Sequence, residues 1–150
     1  MNYRELIDLF EKGKRRWRRV GTETNGVVVG LDVEGRLFAV MGGEVINRVN
    51  PEAFFGRSTR ETYLNPGGHG LWPAPEGGKF GFNYVGNSWY VPDAVSNQRY
   101  EAAGPAIEKK VTLTNRLGTN VEATIRREVT ITPGVPRLLE GYRLKESLCY

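Results

Sequence analysis

The sequence contains one cysteine, Cys149, and one histidine, His69. A lone cysteine cannot form an internal disulfide, and a chain so poor in thiols fits a reducing compartment, so a cytoplasmic location is expected. One histidine and one distant cysteine do not supply the closely spaced ligands of a structural zinc, and no metal site is predicted. No apolar run approaches the roughly 18 residues that a membrane-spanning helix requires. The opening "MNYRELIDLF" lacks an apolar signal-peptide core. Phosphate-binding glycine loops are missing as well: neither "GGEVIN" nor "EGGKFG" matches GxxxxGK(S/T) or a helix-opening GxGxxG, and no cofactor is predicted. No serine sits in a GxSxG elbow. Internal repeats and low-complexity segments are absent too.

What remains is an ordinary globular composition, with 39% hydrophobic and 25% charged residues in 150. That length suits one domain with a real core. Nineteen glycines and eight prolines predict many turns. The net charge of +4 is not spread over the chain: residues 1–20 hold seven Lys/Arg against three Asp/Glu, and residues 21–150 sum to zero. A nucleic-acid binder usually carries its basic residues over a face, so nucleic acid is not the expected partner.

Residues 3–19 read as an amphipathic helix, with Leu6, Phe10 and Trp17 near one face and Ile7 and Leu9 beside it. Acidic residues come early and basic ones late, which suits the helix dipole. The same "KGKRRWRR" could instead present a patch to nucleic acid or anionic lipid. Beyond "TETNG" the pattern turns to strands. "GVVVGLDV" and "RLFAVM" flank Glu34-Gly35, a hairpin signal, and "GGEVINRV" reads as a third strand. In "VEATIRREVTI", Val121, Ala123, Ile125, Val129 and Ile131 alternate with polar residues, giving a half-buried antiparallel strand that pairs with "IEKKVTLTN" across "RLGTN". "RLLEGYRLKESL" begins a further strand. Arg127 breaks the alternation on the apolar face. It either snorkels to water or lines a cleft. The expected fold is mainly β: an antiparallel sandwich over 21–150, preceded by one basic amphipathic helix over 1–20.

Between the β segments lies an irregular stretch, about 51–105, and long loops of this kind are commonly functional. It includes "NPGGHGLWPAPEGG", residues 65–78, and "GFNYVGNSWYVPD". Trp72, Phe80, Phe82, Tyr84, Trp89 and Tyr90 crowd together beside Asn65, His69, Glu76, Asp93 and Arg99. Aromatic faces next to amide, carboxylate and guanidinium groups suit the mixed apolar and polar faces of a sugar ring. The same aromatics could instead pin down a long loop, with Glu76 and Asp93 capping turns.

The 65–78 loop, the later "WYVPD" and the "VTLTN…ATIRREVTI" hairpin resemble the N-terminal half of the galactose mutarotase-like (aldose 1-epimerase-like) β-supersandwich proteins, over about residues 26–148. The likeness implies half of a supersandwich with a carbohydrate cleft near Asn65, His69, Trp72 and Glu76. Relatives of that kind are about twice as long, so the chain is either a fragment or a half-length protein completed as a homodimer. The expected function is carbohydrate binding through residues 65–99. His69 and Glu76 are the polar, candidate acid–base pair, and Asn65, Trp72, Trp89, Asp93, Arg99 and Arg127 contact the ligand. Two alternatives stand beside it: an aldose epimerase-like enzyme in which His69 and Glu76 trade a proton with a hemiacetal, and an interaction module using the basic N-terminal helix.

Overall fold

The computed structural model describes residues 1–85 and 87–132. The strand predicted in "RLLEGYRLKESL" and Cys149 lie outside them. The fold is mainly β, with two antiparallel sheets and one longer helix at the N-terminus. Helix α1 (Tyr3–Lys12) starts on a reciprocal cap: the Glu5 amide donates to Asn2 Oδ1 (3.0 Å) and the Asn2 amide donates to Glu5 Oε2 (2.8 Å). Strands β1 (Trp17–Gly21), β2 (Asn25–Gly30), β3 (Arg36–Met41) and β4 (Glu44–Val45) follow as a meander in that order. The expected hairpin across Glu34-Gly35 is present, with Val28 opposite Phe38.

The helix expected over 1–20 is shorter than its sequence pattern. It ends at Lys12, and Trp17–Gly21 is a strand of the first sheet. Two local features stop it. A side chain at Gly13 would come within 2.5 Å of the Phe54 carbonyl oxygen, so the chain passes there at backbone contact. Lys14 then takes a positive φ of 51°, which leaves the right-handed helix. The arginines beyond serve tertiary contacts rather than a helix dipole. Arg15 donates to the carbonyls of Phe54 (2.8 Å) and Gly56 (2.9 Å), the C-terminal end of the short helix α2 (Glu52–Phe55). Arg16 forks onto Asp32 and Glu101. Arg18 reaches the carbonyls of Gly104, Pro105 and Ala106. Arg19 donates to Tyr3 Oη and Glu23.

The run "VVV" in β2 is buried on both faces, which explains why it does not alternate. Val28, with Phe38 and Val40 of β3, faces Tyr3, Leu6, Phe10 and Phe54 from the two helices. The Phe10 ring meets Phe54 edge-on at 4.8 Å. Val27, Val29 and Leu37 point the other way, toward Tyr100, Ile107 and Val129. Those residues belong to the second sheet, β7 (Glu101–Ala103), β8 (Ala106–Thr114) and β9 (Asn120–Glu128), or directly adjoin it. The molecule is therefore layered: helices, first sheet, second sheet.

The predicted pairing of β8 with β9 is present from Ala106↔Glu128 to Thr114↔Asn120. Its burial is uneven. Val129 is buried and Ile125 and Ile131 are half-buried, whereas Val121 and Ala123 are exposed at the hairpin's far end. The contacts from the first sheet fall at the Ile107 and Val129 end. The predicted strand in "GGEVINRV" is brief, because the Asn47 side chain takes the Ala39 amide (2.7 Å) in place of a backbone partner.

Candidate functional site

The 65–78 loop begins as a sheet edge. His69 exchanges two backbone hydrogen bonds with Leu37 (2.8 and 3.1 Å), and Gly67 bridges Val49. Gly67 has a φ of 81°, and a side chain there would overlap the Arg48 carbonyl. This half of the motif is thus built for close backbone packing. Its imidazole, on exposed His69, has no hydrogen-bond or ion-pair partner among the described residues, and the same holds for exposed Glu76. Asn65 turns back to accept from the Gly67 amide (3.0 Å), fixing the loop's entry.

Next to Gly70 the loop meets a buried charged cluster. Arg36 donates to Glu34 Oε2 (2.8 Å) and to the Tyr63 hydroxyl, and Tyr63 donates to the same carboxylate oxygen (2.9 Å). A side chain at Gly70 would collide with the Arg36 guanidinium at 2.4 Å. Glu34 turns inward because its backbone is left-handed (φ 53°) in the β2–β3 turn. Burial raises its carboxyl above the usual range, against the opposing pull of Arg36 and Tyr63. Burial likewise raises the Tyr63 phenol, reinforced by Glu34.

Two further cations project from the inner face of the second sheet. Lys109, 8% exposed, donates to the Ala94 carbonyl (2.9 Å) and stands 4.8 Å over the Tyr100 ring. Burial pushes its ammonium down to about 8, with Glu34 opposing and Arg127 adding to the shift. Arg127 donates to the Gly35 carbonyl and is half-buried. It reaches back to the turn of the other sheet rather than snorkelling to water. Lys109 was legible in the alternation Ile107, Lys109, Val111, Leu113, where it takes an apolar slot just as Arg127 does. In the sequence Glu34 has only the signature of a turn residue, and Arg36 and Tyr63 carry no signal of their own.

The second half of the loop presents aromatics. Trp72 and Trp89 stack nearly parallel, with centroids 6.4 Å apart and planes at 10°. Tyr63 leans on Trp72 at 6.2 Å, and Trp72 also packs against Val91, Val95, Val111 and Leu113. Trp89 lies on the small hairpin of β5 (Tyr84–Val85) and β6 (Ser88–Trp89) and is 49% exposed. Arg116 braces that hairpin by donating to Asn87 Oδ1 (3.0 Å).

Asp93 and Arg99 lie elsewhere, at the two ends of the segment that starts with helix α3 (Asp93–Ser96). Asp93 accepts from Asn97 Nδ2 (2.9 Å), and Asn97 pairs with both the amide (3.1 Å) and the carbonyl (2.9 Å) of Ser58. Arg99 borders a pocket of about 250 Å³ with Arg15, Arg57, Ser58, Asn97 and Asp32. Burial opposes ionisation of Asp32, yet the Arg16 side chain and amide hold its carboxyl below the usual range. Of the predicted site residues, then, Trp72 and Trp89 come together, and Asp93 and Arg99 share one segment. Among the described residues no cluster of His, Cys, Asp and Glu could hold a metal ion, and no helix is long and apolar enough to cross a membrane. Compared with known protein families, curated proteins and solved structures, the chain matches none.

Proposed function

We propose that the chain is a carbohydrate-recognition domain in which a sugar ring stacks on the outer face of Trp89. The observation that carries this reading is the stacked, nearly parallel Trp72–Trp89 pair, with one indole anchored in the core and the other half exposed. Leaving an indole in water forgoes a large apolar burial. A stacked, braced indole also loses little freedom when a ligand lands on it, which favours binding. The C–H face of a pyranose offers the flat apolar surface such a platform takes, and its hydroxyls find the exposed Asn87 amide in the turn of the same hairpin. The likeness of residues 65–78 to galactose mutarotase-like proteins supports the same ligand class.

Intrinsic tryptophan fluorescence tests the proposal, titrated with a panel of neutral hexoses and short oligosaccharides. At least one should give a saturable change, and Trp89→Ala should weaken it at least about tenfold, since stacking on one aromatic is worth roughly 0.5–1.5 kcal/mol beyond the area it buries. A panel without any saturable response, or full binding by Trp89→Ala, would sink the reading.

A further inference from the structure

We propose that the pocket bordered by Arg57 and Arg99 binds a small oxyanion, the phosphate of a monoester or a carboxylate. This site goes beyond the carbohydrate reading and does not depend on it. The acids in the pocket wall are already engaged by other cations. Asp32 is taken up by Arg16, through the guanidinium at 2.8 Å and the backbone amide at 2.9 Å. Glu34 is held by Arg36 and Tyr63. The two acids on this wall are engaged by cations that do not themselves line the pocket, Arg16 being shared with Glu101, and the three lining arginines outnumber the two lining carboxylates.

Three lining arginines remain. Arg15 bonds only to neutral carbonyls, which fix its position and leave its charge uncompensated. Arg57 has no hydrogen-bond or ion-pair partner among the described residues. Arg99 makes one long contact, 3.9 Å to the Asp32 oxygen that Arg16 already occupies. A pocket bordered by three such arginines, Arg57 and Arg99 at its exposed rim, has a positive potential that attracts an anion. Guanidinium forks fit phosphate and carboxylate geometry.

The floor is pre-built as well. Ser58 is 8% exposed. Its Oγ accepts from the Leu64 amide (3.1 Å), and its hydroxyl proton has no acceptor among the described residues. Asn97 clamps both backbone groups of Ser58, and Asp93 in turn holds Asn97. An oxyanion would accept a hydrogen bond from that hydroxyl together with those of the Arg57 and Arg99 forks.

The test is a titration followed by backbone amide NMR, with inorganic phosphate in one arm and acetate in another, at ionic strength matched with chloride. Saturable shifts of the Ser58 and Asn97 amides are expected. Arg57→Gln and Arg99→Gln should each weaken binding about tenfold, the value of one charge-assisted hydrogen bond. Arg60→Gln, whose guanidinium lies over Tyr90 instead, should bind like wild type, as should Trp89→Ala. Dispersed amide spectra check that each variant folds, and Arg57→Lys should keep part of the affinity. Tighter phosphate binding assigns a phosphate ester, and tighter acetate binding a carboxylate. Shifts no stronger than those of chloride, or unchanged in the Arg57→Gln/Arg99→Gln double variant, would overturn the site.

Discussion

Lys109 shows what a single side chain in the wrong slot does to a sheet. It occupies an inward position of β8 between Ile107 and Val111, where alternation calls for an apolar residue. Its ammonium is held by one carbonyl and one aromatic face, and burial depresses its pKa to about 8. In the unfolded chain the same group titrates at about 10.4. Between those values the unfolded state binds more protons, so stability should rise with pH, by up to about 1.4 kcal/mol per unit. Below about pH 8 both states are protonated and the full cost of the buried charge is present. Chemical denaturation from pH 7 to 10 should show this rise, and Lys109→Met should flatten it. An equal slope in the variant would mean that other groups set the pH dependence. The buried phenols of Tyr63 and Tyr100 have the opposite sign, because their raised values favour protons in the folded state at still higher pH.

Among elements, the segment after α1 departs most from its sequence pattern. Residues 14–19 are good helix formers with charges suited to a helix end, and local preference alone would continue the helix. The competing contacts lie far along the chain: Phe54 and Gly56 for Arg15, Glu101 for Arg16, and residues 104–106 for Arg18. A window of neighbouring residues cannot register them, and tertiary contacts override propensity. The β8–β9 hairpin was legible for the converse reason, since its partner lies five residues away across a turn. Likewise the 65–78 loop was legible as special, but not the division of labour within it. Gly67 and Gly68 serve close backbone contact, and its tryptophan, Trp72, anchors in the core and stacks on Trp89. The arginine-lined pocket left no trace, because Ser58 and Asn97 are joined across 39 residues.

Arg16 is the staple whose removal tests this account. It ties β1 to Asp32 in the β2–β3 turn and to Glu101 in β7. Arg16→Ala would leave Asp32, 5% exposed, with the backbone amide of residue 16 and the distant Arg99 but without its guanidinium. A loss of about 1.5–3 kcal/mol in urea unfolding is expected near neutral pH, the range for hydrogen bonds to a charged group. The sign with pH follows from the depressed Asp32 carboxyl. Its stabilisation is complete above the unfolded value of about 3.9 and vanishes as pH falls through the lower folded value. The gap between wild type and variant should close on acidification. A gap that is constant with pH would assign the effect to packing of the arginine stem instead.

For the molecule as a whole, the layering decides whether the N-terminal helix is an appended arm or part of the fold. Composition suggests an arm, because the excess charge is confined to residues 1–20. Packing argues otherwise. The first sheet is apolar on both faces, and α1 covers the one that does not meet the second sheet. Tyr3, Leu6 and Phe10 are buried there against Val28, Phe38, Val40 and Phe54. Burying each such side chain is worth roughly 1.5–3 kcal/mol. Three of them match much of the roughly 5–15 kcal/mol by which a domain is stable at all. Removing residues 1–14 would also uncover a contiguous apolar sheet face, a surface that proteins rarely leave open to water. The truncated chain should therefore lose cooperative unfolding, bind a hydrophobic dye and associate, with collapsed amide dispersion. A truncated chain with a sharp spectrum and a single cooperative transition would instead show that the two sheets close a core without the helix, and that the N-terminal residues are free for another purpose.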